Sequence, residues 1–396
     1  ATSPLTLSAA SGVIVTGDPG NDTVSGAFRL SSKSYVIIDG FNVKDTADYG
    51  IYVYNSQHIT ITNNHISTSG TPQPGKTRMG IYLQLTTDSL IDHNTSDHNS
   101  GDGIRLVSSS NNTVSNNTTY ENSAQTVRVS AGIFLTNGSS NNTIIHNTSY
   151  SNEDSGINLY LGSSNNSIIG NVSFGNGDHG VDCNSSPNNI IVGNTIQGNV
   201  TAGINLEGDA QPGSGGATIM NNILVDNGLR LLVGGGTTTD GFPGNLRADK
   251  YSLTGTNLDY NLYYLDLQNL GIVQIIFGST IYYSLEDFKA AVPDQEAHGL
   301  AEDPLLKNPA APAERPTAAP FTVAQKTGDY HLTAGSPAID SANANAPGET
   351  DLDKDGLPRW DDPNVENTGA GVRLYDDRGA YEFVVRNNIY APFIFG

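Results

Sequence analysis

The chain has 396 residues with a formal charge of -21 from 40 acidic and 19 basic side chains, an acidic surface that repels phosphate backbones and anionic lipid and so excludes nucleic acid as a partner. Its 44 Gly, abundant Asn, Ser and Thr and only 15% charged residues exclude long helices and predict a turn-rich β protein. No stretch approaches the roughly 18 to 20 apolar residues that span a bilayer, and the single Cys183 can form no internal disulfide.

The chain opens at Ala1 without Met, as a mature export product would, which predicts an extracellular or cell-surface protein. From residue 50 a motif recurs of Gly, Ile or Val, any residue, then a second apolar residue. It reads Gly50-Ile-Tyr-Val, Gly80-Ile-Tyr-Leu, Gly103-Ile-Arg-Leu, Gly132-Ile-Phe-Leu, Gly156-Ile-Asn-Leu, Gly180-Val-Asp-Cys and Gly203-Ile-Asn-Leu, with glycine spacings of 30, 23, 29, 24, 24 and 23. Three Asn columns keep step with it. One is Asn64, Asn94, Asn117, Asn147, Asn171, Asn194 and Asn222; the second is Asn99, Asn122, Asn152, Asn176, Asn199 and Asn227; the shorter third is Asn112, Asn142, Asn166 and Asn189. Asn tolerates left-handed backbone angles and its amide bonds to turn backbone, so each column marks a corner and each coil has three.

Between corners, strand alternation places the Ile or Val of each motif inward together with the apolar residue two positions on. Ile61, Ile91, Val114, Ile144, Ile168, Ile191 and Ile219 fill another wall. Two inserts, Thr68 to Arg78 and Ser123 to Ser130, account for the longer spacings. Both fall just before the Gly-Ile strand and should overhang the same sheet. Three short strands per coil, each pairing with its equivalent one coil away at ~4.8 Å, make parallel sheets around an aliphatic interior.

This repeat resembles the pectin-lyase-like right-handed parallel β-helix superfamily over roughly residues 13–265. The resemblance implies an all-β, right-handed parallel β-helix across 1–265. The period then stops, and 266–385 reads as a capping region packed on the helix. Tyr282 to Ala291 is expected as its one short helix, because an open stack end is an aggregation edge. Residues 386–396 form an apolar tail, either a docking strand for self-association or a sorting tag.

Alternation also identifies what the Gly-Ile sheet shows to solvent. One outward column is Tyr52, Tyr82, Arg105, Phe134, Asn158, Asp182 and Asn205; the other is Tyr54, Gln84, Val107, Thr136, Tyr160, Asn184 and Glu207. Aromatic faces among amides and carboxylates suit a sugar chain, since rings stack on C–H faces while polar groups meet hydroxyls. Tyr52, Tyr82, Gln84, Phe134, Asn158, Tyr160, Asn184 and Glu207, with Arg78, are therefore the expected polysaccharide-binding residues; an ordinary solvated sheet with scattered Tyr is the plainer alternative.

Ahead of the same strands lie Asp102, the pair Glu153-Asp154 and Asp178-His179. Stacking sets Asp154 and Asp178 in consecutive coils, about 5 Å apart. Such a pair implies a shared proton, a bound Ca²⁺ or splayed, solvated side chains. With Asp182, His179, Arg105 and Arg128 it could serve a polysaccharide lyase, which neutralises a uronate and removes the adjacent proton, or a glycoside hydrolase, which flanks the scissile bond with two carboxylates. Both chemistries are seated on this kind of sheet in the resembling superfamily. Yet no lysine lies between Lys76 and Lys250, and the Asn-Thr-Asp then Gly-Asp-Asp pattern of polygalacturonases is absent. A lyase base would then be Arg78, Arg105, Arg128, His179 or a Tyr, with Arg128 and His179 preferred.

Asp351-Leu-Asp-Lys-Asp-Gly-Leu-Pro-Arg-Trp-Asp-Asp362 carries the oxygen spacing of a Ca²⁺ loop, with Asp351, Asp353, Asp355, the Leu357 carbonyl and Asp362 as ligands. Arg359 at position 9 and Asp362 in place of Glu depart from the pattern. Triplets such as Asn94-Thr-Ser and Asn147-Thr-Ser match glycan acceptors but follow from corner Asn meeting strand Thr. Two function classes emerge: an extracellular lyase or hydrolase of polysaccharide, and a non-catalytic surface, adhesive or filament protein.

Overall fold

A computed structural model of the chain describes residues 3–17, 26–70, 77–124, 128–229, 231–232, 244–266, 274–315, 322–324 and 327–384. Parts of both inserts (71–76 and 125–127) and the apolar tail lie outside these. Three sheets of ten, ten and eleven strands run along a solenoid, parallel throughout except for the last strand of the third, Thr280–Tyr282, which pairs antiparallel. The first runs from Leu5–Ser8 to Asn257–Asp259, the second from Ile14–Thr16 to Leu262–Tyr264, and the third, the Gly-Ile sheet, from Phe28–Ser31 to Thr280–Tyr282. Register follows the repeat: Ile104 lies between Ile81 and Ile133, and Ile91 between Ile61 and Val114. The two inward Gly-Ile positions and the Ile wall are fully buried in one continuous core.

Motif glycines are fixed by close contact with the second sheet. A Cβ at Gly80 would meet Ser96 Oγ at 2.0 Å, and one at Gly132 would meet Ser149 Oγ at 2.0 Å. Those seryl hydroxyls point inward because they donate to the next glycine carbonyl, Ser96 to Gly103 and Ser149 to Gly156, at 2.7 and 2.8 Å. Hydroxyls so buried need an internal acceptor, and the missing side chain makes room for it.

The corners are held by ladders. Asn147 Oδ1 accepts from both the backbone N–H and the amide of Asn117, at 2.9 and 3.0 Å, while its own Nδ2 donates to Asn171 Oδ1 and to the Val114 carbonyl. The ladders extend one coil beyond the sequence columns, to Asn261 and Asn245. Asn94, Asn117 and Asn147 are buried, so their triplets belong to the ladder. The first ladder ends on buried Glu296, which accepts from Asn261 Nδ2 at 2.6 Å and from the Tyr263 hydroxyl at 2.6 Å.

The C-terminal region divides its work. The helix Leu285–Ala291, N-capped by Ser284, inserts Leu285 and Phe288 into the core at the last coils. The remainder clasps the flank of the second sheet: Tyr330 packs on Phe174 at 4.6 Å, and Arg378 donates to the carbonyls of Asn261, His298 and Ser341. Among the described residues no helix is long and apolar enough to cross a membrane.

Candidate active site

The bonds Gly80 N to Asp102 O, Gly132 N to Ser155 O and Gly156 N to His179 O fix the files ahead of each glycine. One file holds Tyr49, Met79, Asp102, Ala131, Ser155, His179 and Ala202. Its predecessor holds Asp48, Arg78, Gly101, Ser130, Asp154, Asp178 and Thr201. With the outward files of the Gly-Ile sheet they enclose a groove of about 790 Å³, lined among others by Tyr49, Tyr82, Arg105, Phe134, Asp154, Asn158, Tyr160 and Asp182.

One end of the groove is aromatic. Tyr52 and Tyr82 stack at 5.1 Å, Tyr49 leans on both, and the Tyr52 hydroxyl donates to Gln84 Oε1 at 2.8 Å. Arg78 pairs with Asp48 and covers the Tyr49 ring. Arg105 lies 4.7 Å over Phe134 and 3.3 Å from Asp102, and Phe134 is followed by Tyr160 at 6.4 Å. Burial pushes Asp102 up to about 6 against the pull of Arg105. Burial also pushes Tyr82 up to about 12 and raises Tyr49 and Tyr52.

The middle of the groove holds the acids. Asp178 N donates to Asp154 O at 3.1 Å, so the two occupy equivalent places in consecutive coils, as their spacing predicts. The like charges are reconciled by a bridge: Arg128 reaches Asp178 at 2.5 Å and Asp154 at 3.6 Å. Burial and the neighbouring Asp178 charge raise Asp154 well above the usual carboxylate range. Burial works the same way on Asp178, but His179 and Arg128 outweigh it and hold that carboxyl below its ordinary value. The pair is thus pushed apart, with Asp154 biased toward its neutral form and Asp178 toward its charged form. Although burial opposes its charge, the two acids raise Arg128 further. Burial lowers His179 in spite of Asp178, leaving a neutral imidazole.

Asp182 is 8% exposed and accepts from Asn205 Nδ2 at 2.7 Å and Asn158 Nδ2 at 3.3 Å. Burial, with the Glu207 and Asp178 charges, raises it well above the usual range. Beyond it Asn184 donates to Glu207, and Arg247 joins Glu207 and Asn205, each at 2.6 Å. The described arginines of the coils, Arg29, Arg78, Arg105, Arg128 and Arg247, thus all lie on or just ahead of one sheet.

Tyr49, which lines the groove, and Arg247, beside its acidic end, are among the residues that escape the sequence reading. Tyr49 shares a file with Asp102 and His179, and aligning the residue before each motif glycine would find it. Arg247 follows its neighbour Asn205 by 42 residues, a spacing that hides the register.

The C-terminal loop residues do not line the groove. Asp351 binds Arg373 at 2.5 Å; Asp353 accepts the N–H groups of Asp355, Leu357 and Glu382; Asp355 meets His331; Asp362 accepts from Asn364. The Leu357 carbonyl accepts from Asp353 N. Arg359, the departure at position 9, forms buried ion pairs with Glu349 and Glu382 at 2.5 and 2.9 Å. Among the described residues there is no group of three or more His, Cys, Asp or Glu side chains placed to hold a metal.

A solenoid of stacked three-strand coils with a groove along one sheet defines the class: the chain belongs to the right-handed β-helix family, whose description, right handed beta helix region, matches residues 11–173 and 129–243. Among solved structures it is similar to the pectate lyase Pel9A, with a TM-score of 0.54 and 15% identity over 96% of this chain and 86% of that one. More distant are the A-module of the Azotobacter vinelandii mannuronan C-5 epimerase AlgE6, with a TM-score of 0.45 and 18% identity over 66% and 76% of the two chains, and the periplasmic alginate epimerase AlgG, with 0.40 and 18% over 63% and 54%. At these identities the likeness is one of fold. No curated protein matches the sequence.

Proposed function

We propose that this chain is an extracellular enzyme that cleaves a polysaccharide laid along the Gly-Ile sheet. The observation that carries the reading is one groove in which stacked tyrosines run into a buried acid cluster. Rings supply the surface on which pyranose C–H faces stack, and the amides of Asn158 and Asn184 meet hydroxyls. Asp182 and Asp154 both line this groove. Asp182, set between two amides and near Glu207, keeps its proton and acts as general acid. Asp178, kept charged by Arg128 at 2.5 Å, is the carboxylate able to accept a proton from attacking water, and so acts as base. Paired carboxyls whose surroundings separate their roles fit glycoside hydrolysis.

A second reading, β-elimination, has one observation in its favour: the neutral imidazole of His179, whose Nδ1 has no hydrogen-bond partner among the described residues. A panel of pectate, alginate and neutral glucans separates the two. Hydrolysis releases reducing ends without ultraviolet-absorbing products, whereas elimination releases unsaturated ends that absorb. Silence on every polymer, with Asp182→Asn indistinguishable from the parent chain, would replace both by a non-catalytic surface rod.

A further inference from the structure

A different face of the solenoid carries a second aromatic feature. At one corner of the first sheet the coils from the second onward pass through a left-handed residue. It is Asn111, Asn141, Asn165 and Asn188 in four successive coils, Asp88 before them and Gly216 after. These are the residue types that accept a positive φ most easily. The second and third coils place Tyr35 and His58 there, at φ 58° and 53°. His tolerates this region, whereas a bulky Tyr is strained in it. Asn serves the same corner elsewhere, so the turn itself does not call for a ring. The Tyr35 ring is 45% exposed and stacks on His58 at 4.7 Å, 19° from parallel. It borders a depression of about 560 Å³ whose wall includes Thr60, Asp88, Leu90 and Asn111.

We propose that the Tyr35–His58 corner is a second, non-catalytic sugar-binding platform for the polymer cleaved in the Gly-Ile groove. The exposed ring face takes the C–H face of a pyranose, while Asp88, Asn111 and Thr60 offer acceptors and donors to its hydroxyls. The choice of polymer rests on the polysaccharide reading above; the corner's own binding is read separately.

The test uses the full chain, polygalacturonate and a neutral β-glucan as polymers, and short oligogalacturonates as soluble probes. Asp182→Asn in every sample prevents cleavage during binding. Tyr35→Asn should weaken polymer binding in affinity electrophoresis by about five-fold, and Tyr35→Phe should retain it. The melting midpoint of Tyr35→Asn should not fall, because Asn is the native residue of the same corner in other coils. With Asp182 restored, Tyr35→Asn should cleave short oligosaccharides as the parent does. Full polymer affinity in Tyr35→Asn, or His58 imidazole NMR signals that ignore every probe, would overturn the platform. If His58 responds in a Tyr82→Ala chain that no longer cleaves, the platform stands without the groove; if polymers are cut and His58 is silent, the platform alone fails.

Discussion

Asp182 illustrates how a single position couples chemistry to stability. Its carboxyl is buried, held by two amides and raised well above 3.8, with burial the largest cause. A group whose folded pKa exceeds its unfolded one stabilises fully below the unfolded value, and that contribution is lost as pH climbs through the folded value. Asp182→Asn keeps the shape and never ionises. The variant should therefore melt at or above the parent temperature at alkaline pH, with the gap closing below about pH 4. Its activity should fall by about 10³-fold if Asp182 is the proton donor. Thermal scans across pH, alongside initial rates on the polymer that the parent cleaves, check both; a variant that retains its rate would remove Asp182 from the chemistry. Asp154 and Asp178 teach a related lesson. Their adjacency was legible because spacing sets register, but the Arg128 bridge was not, since Arg128 comes from an insert whose path no period dictates.

Each Asn ladder is an element in its own right, bonded from coil to coil as a strand is. Asn147→Ala would leave the Asn117 N–H and amide without their acceptor and the Val114 carbonyl without its donor, all inside the fold. Each buried unsatisfied group costs about 1–3 kcal/mol, so the variant should lose about 3 kcal/mol or more in denaturant unfolding, whereas a solvent-facing Thr148→Ala in the next strand should cost little. Glu296 closes the first ladder, and burial carries it up to about 7 against the hydrogen bonds from Tyr263 and Asn261. By the same linkage its contribution is complete below pH 4.5 and fades as pH rises through about 7. The melting temperature of the parent should fall across that window relative to Glu296→Gln, which does not titrate; parallel curves would show that this carboxyl is not the sensor. The ladders could be read from sequence as far as Asn222 and Asn227 because coils of 23 to 30 residues recur. The next step, Asn222 to Asn261, spans 39 residues, and a period cannot be followed through one long coil.

At the scale of the molecule, the C-terminal region is better described as a clasp than as a lid. The stack end is closed by the short helix, while residues beyond about 300 lie along the second sheet, where Val172, Phe174, Ala310, Tyr330 and Ala380 form one buried cluster and Ile223, Leu262, Leu332 and Ile339 another. Sequence places this region over the open stack end; its docking on the flank is not legible, because that depends on single residues such as Arg378 and Tyr330 with no repeat to announce them. A chain stopped at Glu302 would keep all three ladders, the Glu296 cap and the helix. It would also expose the Phe174 and Leu262 surfaces, and contiguous apolar patches on a β-solenoid promote association. Circular dichroism of that chain should remain β-rich, dye binding to exposed apolar surface should rise, and sedimentation should show species larger than the monomer. A monomer that melts like the full chain would mean the clasp contributes nothing to the rod, and the apolar clusters beneath it would then need another reason to exist.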